Sequence, residues 1–200
     1  AKRIKYLVEE VGVAADEITV ITFTAAAARG MREKISRPAE AEVYVPYEAQ
    51  PRAITTMHSL GYHIVRENGG TFGLGDETVV VQEEALRKVV MEDAAQLCGF
   101  RREDGEEAAK CRQYGACEED DEARKCVICG KYRAILRACC AVDYDEQILL
   151  ACKLLRDRGE VRAAYQKRCK HLLVDEYQDI NCAQYELIRL LSEGQREGLF

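Results

Sequence analysis

Long apolar runs are missing from this sequence. None approaches the roughly 20 residues that a membrane-spanning helix needs, and the opening residues lack the zones of a secretory leader. The expectation is a cytoplasmic protein with no membrane partner. Proline is scarce, three in 200 residues, and no internal repeat or low-complexity linker occurs, so the chain reads as compactly structured. An excess of positive charge is also absent: the net charge is −6, which taken alone argues against a nucleic-acid binder. The balance is uneven, however. Cys152–Lys170 holds seven basic residues (Lys153, Arg156, Arg158, Arg162, Lys167, Arg168, Lys170) against Asp157 and Glu160, whereas His171–Phe200 holds six acids and two bases. The 48% apolar content suffices for one sizeable core, or one domain with a subdomain inserted. Cysteine is plentiful, ten residues, and in a reducing compartment these read as reduced thiols or metal ligands.

Three stretches read as buried strands that end in polar residues. In His171–Asp179, HLLVDEYQD, the run Leu172–Val174 has the character of a strand buried on both faces of a parallel sheet, and Asp175 and Glu176 stand where it ends. Ligands of open α/β sheets bind outside the carboxyl ends of strands. An acid pair there is costly unless a cation compensates it, and Mg²⁺ on a nucleotide uses one or two carboxylates plus phosphate oxygens. Glu17–Phe23, EITVITF, is a β-branched run; Thr24 caps a helix through about Arg37, closed by Pro38. Ala53–Met57 is the third strand, with a helix over His58–Asn68 ending at Gly69-Gly70. A strand end followed by a helix N-terminus is a ready anion site. Residues 1–11 place Ile4, Leu7, Val8 and Val11 at helical spacing.

Between about Gly69 and Cys140 the character changes. Thr78–Val81 predicts a short strand, and Glu83–Cys98 an amphipathic helix with Leu86, Val89, Val90, Ala94 and Leu97 on one face. Cys111, Cys117, Cys126 and Cys129 follow at spacings with zinc-ligand character, of which only the last pair is a CxxC; structural Zn²⁺ and buried thiols are the two readings. In AVDYDEQILL, Asp143 with Glu146 three residues on makes a capping-box variant, a scaffolding feature.

VDEYQD followed by INCAQYELIRLL closely resembles the nucleotide-hydrolysis motif of superfamily 1 DNA helicases of the UvrD/Rep/PcrA kind. TFTAAAARGMREKI resembles their motif Ia and TTMHSLGYHIVR their motif Ib, in family order. The resemblance implies an α/β fold: a RecA-like P-loop NTPase domain with a parallel sheet, interrupted by a mostly helical inserted subdomain. Residues 1–68 and 141–200 would be its two parts, and 69–140 the Cys-rich insertion. It also implies an ATP-driven motor that moves on single-stranded DNA and unwinds duplex DNA, 3′ to 5′, in repair or replication. By position, Asp175 would hold the Mg²⁺ of ATP, Glu176 would deprotonate the attacking water, and Gln178 would sense the γ-phosphate. Phe23 would meet a DNA base, Thr22 and Thr24 the DNA backbone, and Thr56, His58 and Ser59 would line the same face.

The family's phosphate loop is expected upstream of residue 1, since no G-x-x-x-x-G-K-[ST] occurs in the sequence. A second RecA-like domain is expected after GLF, so the fragment alone is expected not to hydrolyse ATP. Two other readings stand beside the helicase: a helicase–nuclease of the AddA or RecB kind, and a non-motor module binding DNA or protein. Ala25, Ala26 and Gly30, which depart from the usual motif Ia residues, favour the last; the intact DEYQD opposes it.

Overall fold

The computed structural model describes residues 1–68, 70, 72, 77–113 and 124–194. In chain order the described elements are α1 (Lys2–Glu9), β1 (Ile18–Thr22), α2 (Ala25–Ile35), β2 (Ala53–Thr56), α3 (Met57–Glu67), β3 (Val79–Val81), α4 (Glu84–Leu97), α5 (Glu103–Gln113), α6 (Arg124–Ala138), β4 (Ala141–Asp143), α7 (Tyr144–Asp157), α8 (Gly159–Arg168), β5 (His171–Val174) and α9 (Cys182–Ser192). The fold is mixed α/β, and its strand pairs are parallel. Two compact units divide it. The first gathers Ala1–Leu60, Leu154–Ile180 and the chain from Ile188; the second gathers Gly61–Lys153 and Asn181–Leu187. Among the described residues, no helix is long and apolar enough to cross a membrane.

The first unit is built on a three-stranded sheet in the order β2-β1-β5. β1 is central, and all five of its residues are buried, which is why its sequence is a continuous β-branched run. Ile18 and Val20 pack with Ile4 and Leu7 of α1, Ala28 and Ile35 of α2, and Ile54 of β2. The strand predicted from Glu17 begins one residue later, because Ala15–Glu17 form a 3-10 turn. α1 also stops short of its apolar pattern. Gly12 adopts φ +75, a left-handed conformation suited to glycine, and Val11 is left exposed. Arg32 of α2 donates through Nη2 to the Ile54 carbonyl of edge strand β2 at 2.8 Å. The basic segment lies at the amino-terminal edge of the sheet: the Thr19 hydroxyl donates to the Arg168 carbonyl at 3.2 Å, and β5 starts at His171. Arg158, Arg162 and Lys170 pair there with Glu160, Glu193 and Glu17.

The second unit contains α4, α5 and α6 around Met91, Ala94, Ala95, Ala108, Ile128, Tyr132 and Leu136, with β3 paired to β4. It corrects the expected face of α4 in part: Ala94 is buried and Val90 packs against the core as expected, but Leu86, Val89 and Leu97 are exposed, and Met91 and Ala95 are buried in their place. The helices close on the side where residues are small: a Cβ added at Gly105 would come within 2.9 Å of the Met91 carbonyl oxygen. α3 and α7 touch in the same way at Gly61, whose added Cβ would lie 2.8 Å from the Gln147 carbonyl oxygen. Gly61→Ala is therefore expected to cost about 1–3 kcal/mol by overpacking, measured by urea unfolding; an unchanged midpoint would mean the two helices separate easily.

One polar cluster is fully buried in this unit. Arg112 is 1% exposed, and its Nη2 donates to Asp143 Oδ1 at 2.8 Å and Glu146 Oε2 at 3.1 Å. Tyr132 donates its hydroxyl to Asp143 Oδ2 at 2.7 Å, and its ring lies 4.6 Å from the guanidinium carbon. Asp143 Oδ1 also accepts the Glu146 backbone N–H at 2.7 Å. Asp143 thus caps α7 as expected, whereas the Glu146 side chain is bound to Arg112.

The zinc reading is corrected at Cys129. Its thiol is buried in the helical core and donates to the Ala108 carbonyl at 3.4 Å, a packing role natural for cysteine. Cys117 and the side chains of Cys111 and Cys126 lie outside the described residues. Among the described residues, no group of three His, Cys, Asp or Glu could hold a metal ion.

Candidate functional site

The three motif strands bring their carboxyl ends to one edge of the first unit's sheet. Thr22 of β1 is level with Thr56 of β2, and Ile21 is level with Val174 of β5. The ladder continues one step past β5, where the Asp175 backbone N–H donates to the Ile21 carbonyl at 2.8 Å. The TFT, TTMHS and DEYQD stretches therefore form a contiguous polar rim, the position at which parallel sheets bind ligands.

On β1, Thr22 is buried and its hydroxyl donates to the Thr24 carbonyl at 3.0 Å, so it shapes the turn from within. Thr24 caps α2, its Oγ1 accepting the Ala27 N–H at 3.0 Å. Phe23 between them is 57% exposed. A core role would bury it, so this ring is open to a partner. On β2, Thr56 Oγ1 accepts the Ser59 N–H at 3.2 Å and donates to Ser59 Oγ at 3.0 Å, turning the strand into α3. His58 is half-buried and Ser59 exposed in the first turn of that helix.

On β5, Asp175 and Glu176 are both exposed. Glu176 has φ 56 and ψ 44, a left-handed conformation that for a residue other than glycine costs on the order of 1–3 kcal/mol. It leads into a 3-10 turn, Tyr177–Asp179, closed by the Asp179 N–H donating to the Glu176 carbonyl at 3.0 Å. Gln178 Nε2 donates to Glu176 Oε2. Tyr177 is 45% exposed.

Sequence reasoning missed two residues here. Nothing in the spacing of Arg32 marks its bond to the Ile54 carbonyl. The strained backbone of Glu176 had no signal either, since neither glycine nor asparagine stands there.

Residues 1–200 match the model of the UvrD/REP helicase N-terminal domain. The ATP-dependent DNA helicase Rep of Salmonella typhimurium is 32% identical over 97% of this chain and 30% of its own length. Rep of Escherichia coli is 32% identical over 94% of the chain and 29% of that protein. The ATP-dependent DNA helicase PcrA of Leuconostoc citreum is 29% identical over 97% of the chain and 27% of that protein. The chain thus spans about 30% of the length of the curated relatives it matches.

Proposed function

As the chain belongs to the UvrD/REP helicase N-terminal domain family, we propose that it is a RecA-like ATPase domain of a cytoplasmic ATP-dependent DNA helicase. Such a motor couples ATP hydrolysis to 3′-to-5′ movement on single-stranded DNA and to duplex unwinding, in repair or replication. It works with a second RecA-like domain in the same polypeptide, and residues 69–140 are the inserted subdomain. The observation that carries this reading is the single rim on which DEYQD, TFT and TTMHS meet.

The residues fit a magnesium nucleotide. An exposed carboxylate pair at a strand end suits a hard cation that takes carboxylate and phosphate oxygens. Asp175 would hold Mg²⁺, which supplies neutralisation of the charge spread over the β- and γ-phosphate oxygens. Glu176 would accept the proton of the attacking water while the water oxygen bonds to the γ-phosphorus and the bridging bond to ADP breaks. Gln178 would respond to the γ-phosphate. Phe23 would stack on a base, with Thr24, Thr56, His58 and Ser59 at the sugar–phosphate backbone and Thr22 holding the turn.

The test is single-stranded-DNA-stimulated ATPase activity of the full-length polypeptide that carries this domain. Stimulated hydrolysis that Glu176→Gln abolishes supports the motor; DNA binding without hydrolysis would leave a scaffold. Phe23→Ala is expected to weaken single-stranded DNA binding by about 1–3 kcal/mol, read by fluorescence anisotropy. Because the ring is exposed, the melting temperature should hold; unaltered affinity would remove Phe23 from the interface.

A further inference from the structure

We propose that Gln178 is a positioning residue for the general base: its side-chain amide holds the Glu176 carboxylate in its working orientation. This inference rests on the water-activating role of Glu176 proposed above. Glu176 is exposed, so no surrounding core restrains its side chain, and an unrestrained glutamate samples several rotamers about each of its side-chain torsions. Two features restrict it. The backbone is fixed in the left-handed region by the turn that Asp179 N–H closes onto the Glu176 carbonyl. The side chain is then held by Gln178 Nε2 donating to Oε2. That bond occupies one carboxylate oxygen and leaves Oε1 for the water proton. The contact joins two residues across the turn from the left-handed Glu176 into the 3-10 helix Tyr177–Asp179.

A role confined to sensing the γ-phosphate makes a different prediction, because it acts on nucleotide affinity and DNA coupling rather than on the base. The experiment uses the full-length polypeptide at saturating single-stranded DNA, with Glu176→Gln, Gln178→Ala and the double variant. Gln178→Ala is expected to lower kcat about 10- to 100-fold, the size of a misplaced catalytic group, with KM for ATP unchanged. The double variant should be no slower than Glu176→Gln alone, because the amide acts only through the carboxylate. A raised KM with unchanged kcat, or additive losses in the double variant, would overturn the proposal. Full activity of Glu176→Gln would instead overturn the base assignment itself, so the two failures are distinguishable. Unchanged melting temperatures are expected throughout, as both side chains are exposed.

Discussion

Arg112→Met is expected to destabilise the helical unit by about 3–5 kcal/mol, the usual cost of breaking a buried ion pair from one side. The arginine is 1% exposed, and two carboxylates and a tyrosine ring are built around it. Methionine fills much of the same volume, so the loss comes from Asp143 and Glu146 left buried without their cation rather than from a cavity. Even beside Arg112, burial pushes the Glu146 carboxyl above its ordinary range, while Arg112 and Arg133 pull it back. Removing Arg112 raises it further. In the window between the ordinary and the raised value the folded variant then binds more protons than the unfolded chain, so its stability falls as pH rises through that window. The variant should be visibly more stable at about pH 5 than at about pH 8, as followed by thermal melts across pH. Adding Asp143→Asn and Glu146→Gln to it should recover part of the loss, since the uncompensated charge is gone. A variant as stable as the parent at every pH would show that the cluster is hydrated in solution.

Glu176→Gln is expected to lower DNA-stimulated ATP hydrolysis about 10²- to 10⁴-fold, the range set by removing one positioned general base. The substitution preserves shape and exposure, so folding should be untouched. A glutamine side chain cannot take the proton that leaves the attacking water, while Asp175 remains available to Mg²⁺. ATP affinity should therefore survive, and equilibrium binding of a fluorescent nucleotide separates this outcome from a damaged site. Loss of affinity equal to the loss of rate would move Glu176 from the chemistry to the binding of nucleotide.

The sequence by itself determined the strands that make the rim, and the reason is local. Ile18–Thr22, Ala53–Thr56 and His171–Val174 are short apolar or β-branched runs closed by hydroxyls or acids, and that pattern reports a buried strand with a polar end wherever the strand sits. The Thr24 cap and the Asp143 cap were legible for the same reason, since each involves residues three apart in the chain. Tertiary structure decided what depends on distant neighbours. Of the expected apolar face Leu86, Val89, Val90, Ala94 and Leu97, only Val90 and Ala94 turn inward, joined by Met91 and Ala95, because α5 and α6 approach closest over small residues. The spacing of Cys129 to Cys126 left metal ligand and buried thiol both open, and its place in α6, which sets its thiol against the Ala108 carbonyl, favours the buried thiol. Strand β4 passed unnoticed because three residues carry no period; it exists through its pairing with β3. Arg112 meets Asp143 and Glu146 across more than thirty residues, and no local rule pairs charges at that separation. Sequence periodicity records which face of an element is apolar; which apolar or charged face finds a partner is settled by the packing of whole elements, where backbone approach and desolvation outweigh local preference.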